Sequence, residues 1–214
     1  MDQTIAEIKI DYSEEPIRLF KSDLLEFFTH VTPTVVVIIW TPVVLFFLYA
    51  AASGVPVGSS PLYIPVAFVL GILTWTITEY LMHRYVFHFH PRKPWAQKLF
   101  FMFHGVHHAQ PNCKTRLVMP PAASIPMAVV FIGLFYALDA VMGIPHWSAP
   151  LIAGFTLGYI VYDLVHYATH HAPMKGKMLK FLKKYHMLHH FKTPDQRYGV
   201  SSPLWDKVFG TYIS

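Results

Sequence analysis

The sequence predicts an all-α integral membrane protein, with four transmembrane helices in two hairpins and a cytoplasmic helical cap rich in histidine. Three observations support this fold class. The 214 residues are 54% hydrophobic and only 14% charged, which is unusually apolar for a soluble domain. The basic residues fall into three separate segments, and ten histidines repeat at a duplicated spacing. We expect residues 1–214 to form a single membrane-embedded domain.

Four apolar stretches provide the predicted transmembrane helices. They cover residues 31–52, 62–78, 122–138 and 147–162, and none of them contains Asp, Glu, Lys or Arg. With its flanks, each approaches the roughly 20 residues that an α-helix needs to cross a bilayer. Two successive pairs separated by short loops indicate two helical hairpins.

The distribution of basic residues predicts the orientation in the membrane. All 17 Lys and Arg lie within residues 1–30, 84–116 and 175–207, whereas the loops at 53–61 and 143–150 carry no charge. The positive-inside rule therefore puts the three basic segments and both termini in the cytoplasm. The membrane would be a bacterial inner membrane or the endoplasmic reticulum. The net charge of +5 indicates attraction to anionic lipid, and nothing indicates a nucleic-acid partner.

The N-terminal segment, residues 1–30, is expected to be cytoplasmic or interfacial. Phe20, Leu24, Phe27 and Phe28 recur at helical spacing, which predicts either a short helix in the headgroup region or the first turn of the following span. The one cysteine, Cys113, excludes an internal disulfide and a cysteine-based iron–sulfur site.

The histidines form two similar halves. The motif H-x-x-H-H occurs at residues 104–108 and again at 186–190, and a histidine pair precedes each copy by about 20 residues. Imidazole is the commonest metal ligand in proteins, and ten rings exceed the four ligands of one tetrahedral ion. The pattern therefore predicts a site for two metal ions. The predicted ligands, which are also the predicted catalytic residues, are His83, His88, His104, His107, His108, His166, His170, His186, His189 and His190.

Helical geometry predicts how these rings are shared. Positions i, i+3 and i+4 lie on one face of a helix, whereas His83 and His88 are five residues apart and point well away from each other. Either the helix breaks there, or these two rings serve different metals. Adjacent residues point about 100° apart, so one ring of each adjacent pair can face each ion. Both ions are thus expected to draw ligands from both halves.

Two carboxylates are candidates for orienting ligand histidines through a hydrogen bond to the ring nitrogen that does not bind metal. Glu79 precedes His83 by four residues, and Asp163 precedes His166 by three. Carboxylates often accept a hydrogen bond from the second nitrogen of a ligand imidazole. The alternative for Glu79 is an exposed carboxylate at the membrane interface.

The motifs together resemble the membrane fatty-acid hydroxylase/sterol desaturase superfamily over about residues 75–212. The resemblance is carried by HRYVFH at 83–88, HGVHH at 104–108, YDLVHYATH at 162–170 and HMLHH at 186–190. Within the superfamily, LVMPP at 117–121 and YGVSSPLWD at 198–206 resemble the fatty-acid 2-hydroxylase (sphingolipid α-hydroxylase) branch. The same ten histidines match the ligands of the family, whereas His30, His90, His146 and His171 fall outside its motifs.

This resemblance implies a monooxygenase with two iron ions that uses O₂ to hydroxylate carbon 2 of a long acyl chain, free or within a ceramide. Zinc is able to occupy such a nitrogen-rich site in purified protein. Eukaryotic members often carry an N-terminal cytochrome b5 domain, for which residues 1–30 are too short. Electrons are therefore expected from a separate donor of cytochrome b5 or ferredoxin type with its reductase.

Other functions remain open at this point. Within the same superfamily they are a sterol or carotenoid hydroxylase and a lipid desaturase. A membrane metal transporter belongs to a different class, but it would need ligands at mid-membrane. The histidines here lie at the cytoplasmic ends of the predicted helices.

Overall fold

The computed structural model describes residues 9–144 and 146–213. The first eight residues of the predicted N-terminal segment lie outside these ranges. Within them the protein contains α-helices, two π turns and no strand, which confirms the all-α prediction. The helices are α1 (Asp23–Phe27), α2 (Pro33–Ser53), α3 (Tyr63–Leu81), α4 (Pro94–Phe100), α5 (Val106–Ala109), α6 (Pro121–Met142), α7 (Ser148–His171), α8 (Lys177–Phe191) and α9 (Leu204–Val208).

Four helices in the described ranges are long and apolar enough to cross a membrane. They are α2, α3 with the π turn that follows it, α6 and α7, in agreement with the four predicted spans. The short helix α1 ends before α2 begins and is capped by the Ser22 side chain, so it is not the first turn of the span. The hairpin pairing, the membrane orientation and the cytoplasmic side of the cap stay predictions.

Helix α7 is the centre of the helical bundle, and most of its residues are buried. Glycine makes its close contact with α3 possible. A Cβ atom on Gly154 would lie 1.9 Å from the carbonyl oxygen of Phe68, and one on Gly71 would lie 2.1 Å from that of Leu151. Small residues commonly allow such close approach of membrane helices. One helical turn after Gly71, the Trp75 ring packs against Phe155, with the two ring centroids 5.1 Å apart.

The two uncharged loops meet at one end of the bundle. The rings of Tyr63, at the start of α3, and Trp147, just before α7, lie 6.0 Å apart. Since α3 and α7 both begin there, both helices deliver their histidines to the opposite end. The sequence of α8 matches this arrangement, because its buried residues recur at the i, i+3, i+4, i+7, i+8 spacing of an amphipathic helix. They are Leu182, Tyr185, His186, His189 and His190.

Candidate metal centre

All ten predicted histidines gather into two groups of five. Within each group, one ring nitrogen of every member lies within 4.8 Å of the corresponding nitrogens of the others. Cluster one consists of His83, His88, His104, His108 and His189. Cluster two consists of His107, His166, His170, His186 and His190.

Each cluster takes histidines from both halves of the chain. The adjacent residues His107 and His108 enter different clusters, and so do His189 and His190. Nε2 of His107 lies 3.0 Å from Nε2 of His166 and 2.9 Å from Nε2 of His190. The two halves therefore exchange one imidazole each, as the 100° step between neighbouring helical residues predicts.

A π turn over Met82–Phe87 brings His83 and His88 into the same cluster. The backbone N–H of His88 donates to the carbonyl of His83 at 3.1 Å, and the two ring centroids lie 5.0 Å apart. In a π turn the hydrogen bond runs from i+5 to i, so residues five apart share a face. The sequence alternative of a break in the α-helix is the one observed, because α3 ends at Leu81 and the π turn keeps the two rings together.

A second π turn covers Phe101–Gly105. It lies between α4 and α5 and includes His104. A Cβ atom on Gly105 would lie 2.8 Å from the Phe101 ring, so glycine allows the ring to pack at this turn. Nε2 of His104 thereby comes within 3.0 Å of Nε2 of His108 and within 3.1 Å of Nε2 of His83.

Backbone carbonyls near the C-terminus orient two rings of cluster one. Nδ1 of His83 lies 2.5 Å from the carbonyl oxygen of Tyr198, and Nδ1 of His189 lies 2.7 Å from that of Gln196. A carbonyl oxygen only accepts, so both rings donate from Nδ1 and keep the Nε2 lone pair for the cluster. Arg197 between these carbonyls has φ +59°.

The sequence suggested that Glu79 either accepts a hydrogen bond from His83 or is exposed at the membrane interface. Both alternatives are wrong. The residue is 3% exposed, and its carboxylate accepts from the backbone N–H groups of Val200 and Ser201, both at 2.8 Å. The Ser201 hydroxyl also donates to it. Glu79 therefore anchors the segment that carries Tyr198, and it acts on the His83 ring through that segment.

Asp163 is also buried, at 1% exposure, but it does not hold the ring of His166. Nδ1 of His166 and Oδ2 of Asp163 are both without a hydrogen-bond partner within the described ranges. Instead, Asp163 lines a cavity of about 240 Å³ together with His104, His107 and His166. Its carboxylate thus lies beside the space next to the clusters.

The electrostatics of the site fit metal ions. Burial, followed by the neighbouring imidazoles, lowers the pKa of His104, His107 and His190 well below the ordinary value. Neutral imidazole is the form that binds metal. Nε2 of His189 and both ring nitrogens of His88 are buried without a partner in the described ranges. Buried polar atoms are normally satisfied, and an ion in cluster one would take up the one lone pair that each of these two neutral rings offers.

The remaining histidines lie outside both clusters. His30 contacts the Thr115 hydroxyl at 2.8 Å through Nδ1 and the Glu26 carboxylate at 3.4 Å through Nε2. His171, His90 and His146 are likewise absent from the two groups. The ligand roles of the ten clustered histidines stay a prediction, but the fold brings all ten together.

Comparisons with known proteins agree with this geometry. The sequence profile of the fatty acid hydroxylase family matches residues 68–211. The dihydroceramide fatty acyl 2-hydroxylase FAH2 of Arabidopsis thaliana is 39% identical over 91% of the chain and 79% of its own length. The fatty acid 2-hydroxylase of Rattus norvegicus is 38% identical over 92% of the chain, which spans 57% of the rat protein.

A solved structure described as full-length scs7p, with only the hydroxylase domain visible, has the same fold. It superposes with a TM-score of 0.88 at 34% identity and covers all of this chain and 79% of that one. The prediction of an oxidoreductase is thereby confirmed, as is the resemblance to the fatty acid 2-hydroxylase branch. The chain belongs to the fatty acid hydroxylase family.

Proposed function

We propose that the protein hydroxylates carbon 2 of a long-chain fatty acyl group, using two iron ions held by the ten clustered histidines and O₂ as oxidant. The convergence of ten imidazoles into two groups of five carries this proposal. The names of the plant and rat relatives support the position of the new hydroxyl group. The acyl group would be a free fatty acid or part of a sphingolipid.

The imidazole ligands alone do not identify the metal, but the reaction restricts the choice to a redox-active one. Neutral imidazoles suit iron, zinc, copper and nickel. Zinc has no redox chemistry, so a bound zinc ion would leave the hydroxylase inactive. When bound, the iron ions supply the redox chemistry that activates O₂. The protein residues provide the ligands, fix the ring orientation through the Tyr198 and Gln196 carbonyls, and exclude water.

Three neighbouring cavities that share wall residues mark a path for the acyl chain. Phe87, Met119 and Tyr162 line both the cavity beside the histidines and a small second cavity below it. The second cavity shares Trp75, Met127 and Phe131 with a third one, which extends to Ile152 and Phe135. Such narrow apolar cavities suit an alkyl chain.

The length of this path agrees with a long chain. Fourteen residues of α7 separate His166 from Ile152, which corresponds to about 21 Å along the helix axis. The chain end would therefore lie deep in the membrane-spanning part, with the carbonyl end near the histidines. The protein contributes placement, because holding one C–H bond next to the oxidising centre selects it over its neighbours.

The predicted orientation sets the access routes for the partners. We infer that the histidine clusters face the cytoplasm, since the basic segments lie at the same end of the helical bundle as the histidines and the positive-inside rule assigns them to the cytoplasm. The lipid substrate would then enter from the bilayer, and a separate electron donor with its reductase would dock from the cytoplasm. The domain would thus be multi-pass in a bacterial inner membrane or the endoplasmic reticulum.

Lipid profiling of cells with and without the gene tests the proposal. Mass spectrometry is expected to find 2-hydroxy acyl chains only in cells that express the active protein, and His107→Ala, which removes a predicted ligand, serves as the inactive control. Hydroxylated sterols or carotenoids, or new double bonds, would assign one of the related activities instead. A change in cellular metal content without any oxidised lipid would favour the transporter function.

A further inference from the structure

Arg116 is a buried arginine in the wall of the cavity beside the histidines. It lies in the segment between α5 and α6, and its side chain is only 2% exposed. The same cavity is lined by His104, His107 and His166. A guanidinium group at this position therefore lies in the same cavity wall as histidines of both clusters.

Two of the three guanidinium nitrogens have no hydrogen-bond partner within residues 9–144 and 146–213. Nη2 donates to the Glu26 carboxylate and lies 3.3 Å from Nε2 of His30. Nε and Nη1 are buried and without a hydrogen-bond partner among the described residues. Arginine offers five N–H donors in a fixed fork, and leaving buried charged donors unsatisfied is costly. The side chain is thus prepared for an oxygen acceptor.

Glu26 determines which kind of acceptor fits. Its second oxygen accepts from the backbone N–H groups of Leu19 and Phe20 at 2.9 and 2.8 Å. Burial raises the pKa of Glu26, but these hydrogen bonds and the charge of Arg116 outweigh it and leave the pKa below its ordinary value. Glu26 is therefore ionised at neutral pH and cancels the charge of Arg116.

We propose that Arg116 binds the carbonyl oxygen of the acyl substrate, and that it prefers the neutral carbonyl of an amide or ester to a free carboxylate. The inference rests on the proposed function, because the acyl chain must lie in the neighbouring cavities described above. A carbonyl held at Arg116 fixes the distance of each following carbon from the histidines. Arg116 thereby selects the carbon that is hydroxylated, whereas the apolar cavities select the chain.

The contact with Glu26 alone does not account for the placement of Arg116. An ion pair between the N-terminal segment and the loop before α6 is already provided nearby by Lys114 and Glu14, at 2.9 Å on the surface. That pair needs no buried guanidinium. Lys114 also offers a matched control, because it lies two residues from Arg116, pairs with a carboxylate of the same segment and does not line the cavity.

Ligand-induced thermal stabilisation of the purified full-length protein in detergent tests the binding step without an electron donor. Three probes of equal chain length are used: an N-acyl sphingoid base, the free fatty acid and an alkyl glycerol ether without a carbonyl. For the wild type and Lys114→Met, we expect the amide to stabilise most. Arg116→Met is expected to bind the amide about tenfold more weakly and no better than the ether.

Two further variants sharpen the test. Arg116→Lys keeps a positive charge opposite Glu26, so it should stay folded, yet lose most of the preference for the amide because it lacks the planar fork. Glu26→Gln removes the compensating charge, so the preference should shift towards the free fatty acid. A wild-type protein that prefers the fatty acid, or an Arg116→Met variant that still prefers the amide to the ether, would overturn the proposal.

The position of hydroxylation separates this inference from the proposed function. In lipid profiles, Arg116→Met should give hydroxyl groups spread over carbon 2 and its neighbours, whereas Lys114→Met should give carbon 2 alone. If the wild type yields 2-hydroxy chains and Arg116→Met yields the same single position, only the role of Arg116 is wrong. If the wild type hydroxylates no acyl chain, the proposed function fails and this inference fails with it.

Discussion

Nδ1 of His83 lies 2.5 Å from the carbonyl oxygen of Tyr198, although 115 residues separate the two in the sequence. The contact fixes the tautomer of a ring in cluster one and connects the end of the α3 span to the C-terminal segment. Glu79 holds that segment one turn before His83 through the N–H groups of Val200 and Ser201. The ring, the carbonyl and the carboxylate therefore form one continuous support.

Replacing Glu79 is expected to weaken both the fold and metal binding. Glu79→Ala leaves two backbone N–H groups without their acceptor, at a cost of about 1–3 kcal/mol for each. Loss of a group that orients a ligand typically reduces metal affinity by roughly 10–100-fold. Thermal unfolding and elemental analysis measure the two effects. Glu15→Ala, at an exposed position, is the control, and equal metal content in both variants would contradict the role of Glu79.

Single histidine variants test the sharing of ligands between the two halves. The purified wild type is expected to carry two ions per chain. His107→Ala should weaken binding of the ion in cluster two. His108→Ala, one residue away, should weaken binding of the ion in cluster one, because these neighbours belong to different groups. His146→Ala is the control. Spectroscopy of a cobalt-substituted protein distinguishes the sites, and identical effects of both variants would argue against two separate clusters.

Two glycines give a matched test of the helix packing. Gly154→Ala places a methyl group 1.9 Å from the Phe68 carbonyl oxygen, whereas a methyl group at Gly133 meets nothing within 4 Å. Forcing an extra carbon into a packed contact costs typically about 1–3 kcal/mol. We therefore expect Gly154→Ala to lower the unfolding temperature clearly and Gly133→Ala to leave it nearly unchanged. Similar stability of the two variants would show that α3 and α7 are not held so closely.

Cysteine labelling tests the orientation. Labels at the exposed positions Ser59 and Lys192 should react from opposite sides of the membrane, with Ser59→Cys accessible only from outside the cytoplasm. The native Cys113 is buried, so it should stay unlabelled. Ser148 in the other uncharged loop region is unsuitable, because it is buried and its hydroxyl donates to the Phe135 carbonyl. Reaction of Ser59→Cys from the cytoplasm would reverse the predicted topology.

The sequence was sufficient for the features that depend on residue type and simple periodicity. Charge-free stretches predicted the four long helices, and the duplicated histidine spacing predicted which ten rings gather. The sharing of each adjacent histidine pair between the two clusters also followed, although not which ring of each pair changes sides, because adjacent helical residues point in different directions. These features require no knowledge of contacts between distant segments.

Features that depend on backbone geometry were beyond the sequence. An α-helical period separates His83 from His88, and no residue in Met82–Phe87 signals the wider turn. Every residue has a backbone carbonyl, so nothing in the residue types of Gln196 and Tyr198 marks their carbonyls as partners of histidine rings. Glu79 was assigned to the nearest histidine in sequence, whereas its partners lie about 120 residues further along. Only the folded chain brings these groups together.

The exchange of imidazoles between the halves has a consequence for biosynthesis. Cluster one needs His189, and cluster two needs His190, so neither group of five is complete until α8 has been synthesised. All four long apolar helices precede α8 in the sequence. Metal loading would therefore follow the synthesis of α8, and a chain truncated before α8 would have neither cluster complete.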